Sequence, residues 1–483
     1  FSVDNFKKSI QDSCTVHIKP SVFLPTQKSS YHWRVVIKSQ ITKVLLDHLV
    51  KPSNTMVNLP TKPPVINQIL AKKPSITMLR LMIASDNSAQ GIGKVFEGIM
   101  RQANLSPADF FGQLQLFQGA SHILWNVAQA IFLVHYGNPS DSDDLGAWHT
   151  LSSIRITGER LTTKKDFTLM LENLTKCHES TILYCLLTVM GFPKSFIPEE
   201  KFALSSEKTM EIINKCYLQF FSADALDRAD TTEEYQDIEE GDVNDDNAGS
   251  SSTNSSQKSE SGAHGLINLL LGLRDFATVV ECDCAMRARD IGRVINMWTP
   301  WSVMANGMMG LKNYAIHLPW MVLLLTKVLP DGLATTLKHS LLVSPRGQED
   351  HLVTKDFYLE NHNFWLEYFY NHNSCASWYK ACGEIHKSDI HQLHKQNPTA
   401  TTLNNFLKMA HAQDPLSPTN IQKEKTRDIF KHGAAALQDN DSTGGQKLDC
   451  VRPLTILLYC APNNLLGDPD STLGDEFFEE QPN

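Results

Sequence analysis

Two kinds of periodicity divide this chain, and their order constrains its fold more than any other feature. Alternating or β-branched runs fall in the first 120 residues: FSVD at 1–4, CTVHIKPSVFL at 14–24, ITMLRLMIAS at 76–85 and GQLQLFQ at 112–118. Beyond them, apolar residues recur at three- and four-residue spacing almost to the end, the mark of helices with one buried stripe. Strands early and helices late predict an α/β chain whose sheet is built first and whose helical mass comes after.

The helical pattern covers 31–50, 121–136, 166–176, 179–190, 206–223, 264–281, 284–298, 312–328, 331–339, 353–372, 375–395 and 401–412. A further helix is expected from about 91 to 103. Residues 52–64 hold four prolines and read as a loop, and 341–353 read as a loop or hairpin around Pro345 and Gly347. Residues 227–262 change character: first acidic, then rich in Ser and Asn, with almost no large apolar side chain. Such a segment buries too little to offset its ordering entropy and is expected to be a disordered linker. The expected organisation is a core first part at 1–136 and a helical insertion at 137–340 broken by that linker. The final acidic helix and its followers occupy 341–412, and a loose acidic tail 413–483.

Net charge is −9, which excludes a generally basic nucleic-acid coat and leaves room only for a local basic patch. The ten cysteines are scattered. Cys282-Asp283-Cys284 is a weak metal signal, and the rest read as reduced thiols of a cytosolic or nuclear protein. The longest apolar runs, LINLLLGL and LPWMVLLLTKVL, fall short of the ~20 residues of a membrane span, so no membrane partner is expected. The chain opens on Phe1 as if inside a strand, which reads as a fragment lacking an N-terminal region.

Three carboxylates stand in positions that suggest chemistry. Asp4 closes the first strand, and Asp86 follows the clearest one. A carboxylate at the end of a central strand is a common site of chemistry in α/β sheets, although Asp86 or Ser88 as a helix cap explains the same spacing. Glu360 lies on or beside the apolar face of the helix at 353–372, where an acid calls for a partner. In that helix Thr354 is a candidate N-cap, and Asp356 sits in the first turn, where the helix dipole favours it. Acids on two strands and a late helix follow the order of a ribonuclease-H-like mixed sheet core with a large all-α insertion and a helical C-terminal part. In such sites two divalent cations about 3.5–4 Å apart stabilise the attacking and leaving oxygens of phosphodiester transfer. His122, at the start of the helix at 121–136, is either site-facing or a capping or core histidine.

Several segments strengthen this reading: VDNF at 3–6, IASD at 83–86, LFQGASH at 116–122, ARDIGRV at 288–294, LKNYAIHLPWMVLLL at 311–325 and KDFYLENHNFW at 355–365. In this order they resemble an uncharacterised domain-of-unknown-function family of transposon-derived proteins from fungi and some animals. That family is similar to DDE-type transposases with a ribonuclease-H-like core. The resemblance implies Asp4, Asp86 and Glu360 as catalytic and metal-holding residues, with two Mg2+ (or Mn2+) ions as cofactor. It also implies DNA as partner, action as a homo-oligomer, and a nuclear location. Asn5, His122, Asp290, Arg293 and Asn363 are the supporting candidates. Ser85 stands where the family pattern has glycine, and the histidine segment reads Gly-Ala-Ser-His, both compatible with a domesticated copy.

Ordinary readings accompany several of these residues. Asp290 and Arg293 are three apart on a helix and are expected to pair with each other, with a DNA phosphate as the alternative partner for Arg293. Trp298, Trp301, Trp320 and Trp365 read as core. The competing functions are a catalytically inactive, mostly helical nuclear interaction protein, and an unrelated hydrolase using His122 with Ser121 or Cys185. The latter lacks a G-x-S-x-G elbow.

Overall fold

Helices carry the architecture. The computed structural model describes residues 20–73, 119–140, 146–156, 167–192, 196–229, 264–349, 352–362, 398–417 and 425–442, with a few isolated positions between them (8, 94, 95, 97–99, 101, 102 and 194). In chain order, the principal described helices are α1 (Gln27–His48), α2 (Ala120–Val134), α3 (Ala147–Ser153), α4 (Phe167–Val189) and α5 (Ser206–Phe220), which a short helical stretch at 223–229 follows. Then come α6 (His264–Arg287), α7 (Ile291–Gly307), α8 (Lys312–Leu323), α9 (Asp331–Ser340), α10 (residues 355–362), α11 (Ala400–Gln413) and α12 (Ile429–Ser442). Strands β1 (Val50–Pro52) and β2 (Phe202–Leu204) pair in parallel, and β3 (Leu342–Val343) and β4 (Val353–Thr354) pair antiparallel where the sequence leaves a loop or a hairpin open.

Local signals start these helices where the sequence changes. Thr26 and Ser29 make a reciprocal capping box at the head of α1, their hydroxyls accepting from each other's backbone N–H at 3.2 and 2.8 Å. Helix α1 then buries Val36, Ile37, Ile41, Val44 and Leu45 against α4 and α5. Helix α6 lies at the centre, packed against α2, α4 and α7. One continuous apolar cluster runs from Phe23 to Leu437, with Trp298 and Trp301 fully buried in it. The Trp301 indole N–H donates to Thr278 Oγ1 at 2.9 Å, which settles its one polar atom. Trp320 is also buried, whereas Trp365 lies outside the described residues.

Two close backbone approaches lock this packing. A Cβ on Gly307 would overlap the Ile429 carbonyl oxygen, and one on Gly433 would overlap that of Val303, so α7 and α12 cross nearly bare. At the α6–α7 corner, a Cβ on Gly292 would come within 2.5 Å of Ile66 Cγ2. That space admits the backbone of residues 66–67, which Asp290 holds: its carboxylate accepts from Ile66 N at 2.8 Å and Asn67 N at 2.9 Å.

Several expectations fail here. The described residues form no ribonuclease-H-like mixed sheet; they are mostly helical, with sheets of two short strands only. The physical reason is that the helix-period apolar stripes find partners in one another, and β1 ends on Pro52, which has no N–H to extend a ladder. Where 14–24 reads as strand, Pro20–Phe23 is a 3-10 turn followed by a bend at Leu24; residues 14–19, with 1–4, 76–85, 112–118 and the helix at 375–395, lie outside the described residues. The loose tail does not include α12, which packs on α7 and buries Ile429 and Leu437. Asp290 and Arg293 do not pair side chain to side chain. Asp290 is the N-cap of α7, accepting from Arg293 N at 3.2 Å, and the Arg293 guanidinium forks onto Glu281 of α6 at 2.7 and 2.8 Å. This ion pair is buried, and burial pushes the Glu281 carboxyl upward against the pull of Arg293.

Candidate active site

The head of α2 meets the first two turns of α10. Gly119 is the extended N-cap of α2, and it has no side chain with which to satisfy the helix's first N–H groups. Asp356 supplies what Gly119 lacks. Its carboxylate accepts from Ser121 N at 3.0 Å and His122 N at 3.3 Å, and the Ser121 hydroxyl also donates to it. A Cβ at Gly119 would overlap this carboxylate, so glycine is what lets the acid enter. Asp356 does stand in the first turn of α10, but its carboxylate caps another helix.

One turn later on α10, Glu360 reaches His122. Its Oε1 lies 2.7 Å from His122 Nε2, with about half of each side chain in solvent. The imidazole lies over Trp125 in a loose stack, centroids 6.2 Å apart. Tyr314 of α8 completes the floor: Asn126 Nδ2 donates to its hydroxyl at 2.8 Å and to the His122 carbonyl at 2.8 Å. Burial, with the Asp356 charge adding to it, pushes the Tyr314 phenol up to about 12, so it stays protonated.

The site therefore joins three of the resembling segments, those at 116–122, 311–325 and 355–365. Glu360 is exposed rather than buried on an apolar face, and its partner is His122. Sequence reasoning missed Asp356 as a cap, and with it Gly119, Asn126 and Tyr314; Ser121 was considered only as a hydrolase nucleophile. The one available signal was a glycine N-cap with no side-chain acceptor. Asp4, Asn5, Asp86 and Asn363 lie outside the described residues. Asp290 and Arg293 belong to the α6–α7 corner and act there as cap and buried ion pair.

The chemistry open to this cluster is limited by its hydrogen bonds. Ser121 Oγ faces Asp356 while the His122 ring faces Glu360, so hydroxyl and base are not joined as nucleophilic catalysis requires. Cys185 is buried in α4, and burial pushes its thiol well up, which removes it as a nucleophile. Cys282 is likewise a core thiol. What remains is a half-exposed carboxylate beside an imidazole, a hard oxygen donor and a nitrogen donor suited to a divalent cation. Among the described residues no group of three His, Cys, Asp or Glu side chains forms a complete cation cage. No helix among them is long and apolar enough to cross a membrane.

Comparison with curated proteins and with solved structures yields no match. One family model matches residues 15–121 and 113–385, a span that takes in α1 through α10 and both sides of the His122–Glu360 contact. The chain therefore belongs to the family of unknown function DUF6589.

Proposed function

We propose that this chain carries out divalent-metal-dependent phosphodiester chemistry on DNA, cleavage and strand transfer, as a transposon-derived polynucleotidyl transferase or its domesticated descendant acting in the nucleus. The observation that supports it most is the contact between His122 and Glu360, which lie 238 residues apart in two segments singled out for this chemistry. The pair supplies part of a ligand set, since Asp356 is committed to backbone N–H groups. Asp4 and Asp86 are the residues proposed to complete it around two Mg2+ or Mn2+ ions. The ions, when bound, would stabilise the attacking and leaving oxygens. Glu360 would hold metal, His122 would orient Glu360, and the Asp356 cap would fix His122 at the helix head.

The test is a nicking and strand-transfer assay on DNA with the full chain, with Mg2+ or Mn2+ and with chelator. Chelation abolishes product, and Glu360→Gln lowers the rate by on the order of 100-fold or more, as loss of a metal ligand or its close support does. Asp86→Asn has the same effect. A parent protein with no metal-dependent product, or an E360Q protein that cuts as well as the parent, sinks this reading. The second reading, a helical interaction protein without chemistry, is favoured by the helical packing of the described residues and by a Glu360 already paired with His122. It predicts that E360Q and D86N leave every DNA readout unchanged.

A further inference from the structure

Helix α1 carries Lys28, Arg34, Lys38 and Lys43 against a single acid, Asp47, in a chain whose net charge is −9. Lys43 is neutralised by Glu179 at 2.6 Å. Arg34 and Lys38 are placed differently. They are one turn apart on the same face, and both lie over the ring of Tyr217 on α5, Arg34 Cζ at 5.7 Å and Lys38 Nζ at 5.5 Å from its centroid. Lys38 also donates to Asn214 Oδ1 at 2.6 Å. Among the described residues, no salt bridge joins either cation to a carboxylate. Partial burial and then the Arg34 charge push the Lys38 ammonium downward, as expected for two cations sharing one aromatic face. Tyr31 lies one turn before Arg34 and is 65% exposed, which leaves its ring open to stacking.

We infer that the α1–α5 face around Tyr31, Arg34, Lys38 and Tyr217 binds the backbone of a nucleic-acid strand, with Arg34 and Lys38 taking successive phosphates and Tyr31 stacking on a base. Two cations held together over a ring gain most from an anion that bridges them. An exposed ring one turn away favours a nucleic-acid strand over an acidic peptide, because each base offers a π-face. This surface is separate from the His122–Glu360 contact, and it rests on the DNA reading only for its choice of polyanion.

The experiment is fluorescence anisotropy of a labelled single-stranded oligodeoxynucleotide with the full chain, in chelator, over a series of salt concentrations. R34Q/K38Q weakens binding about tenfold or more and lowers the log–log salt slope by about 1.4, two contacts at ~0.7 each for a single strand. Y31A weakens binding by about fivefold or more with the slope unchanged. K43Q, whose cation is already paired, leaves both nearly unchanged. Equal affinity and slope in R34Q/K38Q, or in the exposed-site variant R34E should the double variant not fold, overturns the inference. So does polyglutamate displacing the strand as effectively as unlabelled oligonucleotide. A protein that binds by this face yet never cuts refutes the catalytic proposal alone. One that cuts DNA while R34Q/K38Q binds normally refutes this proposal alone.

Discussion

At the residue scale, the buried polar groups make the sharpest commitments. Asp290 is fully buried and accepts from three backbone N–H groups, two of them in the loop at 66–67. Asp290→Ala strands those donors and is expected to cost about 2–4 kcal/mol in denaturant unfolding. Asp356→Ala removes the cap of α2 and should cost about 1–2 kcal/mol, with Gly119→Ala similar because the new methyl displaces the same carboxylate. His178 gives a pH test. Gln40 donates its amide to the Ala277 carbonyl at 3.2 Å, so its oxygen accepts from His178 Nε2 at 2.8 Å. Burial first, then the Lys43 charge, lower the imidazole to about 3. Between about 3 and the unfolded value near 6.5, the unfolded chain therefore binds the extra proton. The His178 contribution to stability is level above about 6.5 and falls as pH drops toward 3, and His178→Gln should flatten the upper part of that slope in urea titrations. The depressed Asp275 carboxyl, whose burial cost is outweighed by Arg274 and His135, adds its own loss only at the acid end, below about 4.

At the element scale, α12 is held at two points of different character. Its helix crosses α7 where Gly307 and Gly433 bring the backbones together. Just before it, Asp428 accepts from both terminal guanidinium nitrogens of Arg274 at 2.9 and 3.2 Å, and Arg274 Nε donates to Asp275, which holds His135. Gly433→Ala should cost about 1–3 kcal/mol by overpacking the crossing. Asp428→Asn should cost less, about 1 kcal/mol, because the pair is partly exposed and solvent screens it. Differential scanning calorimetry of the two variants checks the order of the two effects. The helix termini themselves were readable: α1, α2, α9 and α11 lie within a few residues of where periodicity put them. The stretches 166–176 and 179–190, read as two helices, fall on the single helix α4 (Phe167–Val189). What periodicity could not show is which helix each would meet. Arg293 turned to Glu281 rather than to the nearer Asp290, because the partner sits across a helix contact that sequence spacing does not encode.

At the scale of the whole molecule, helical stripes were legible and the sheet was misread. Short β-branched runs score as strands whether or not other strands are within reach, and among the described residues helices cover one another instead. Of the candidate site, Glu360 and His122 were legible as separate oddities. Their contact was not, because nothing in a linear pattern joins positions 238 residues apart. One core also spans both sides of the stretch between Ala229 and His264: α6 beyond it packs on α4 and α2 before it. A protease site placed between those two residues should yield fragments that co-elute in gel filtration and separate only in denaturant. The same long-range closure has a consequence for synthesis. A nascent chain that has grown only as far as Ser340 contains α2 and its histidine, but neither the acid that caps the helix nor the one that meets the imidazole. Products of premature termination before Asp356 would therefore carry a bare helix head, and the paired site would come into being only once Glu360 had been added.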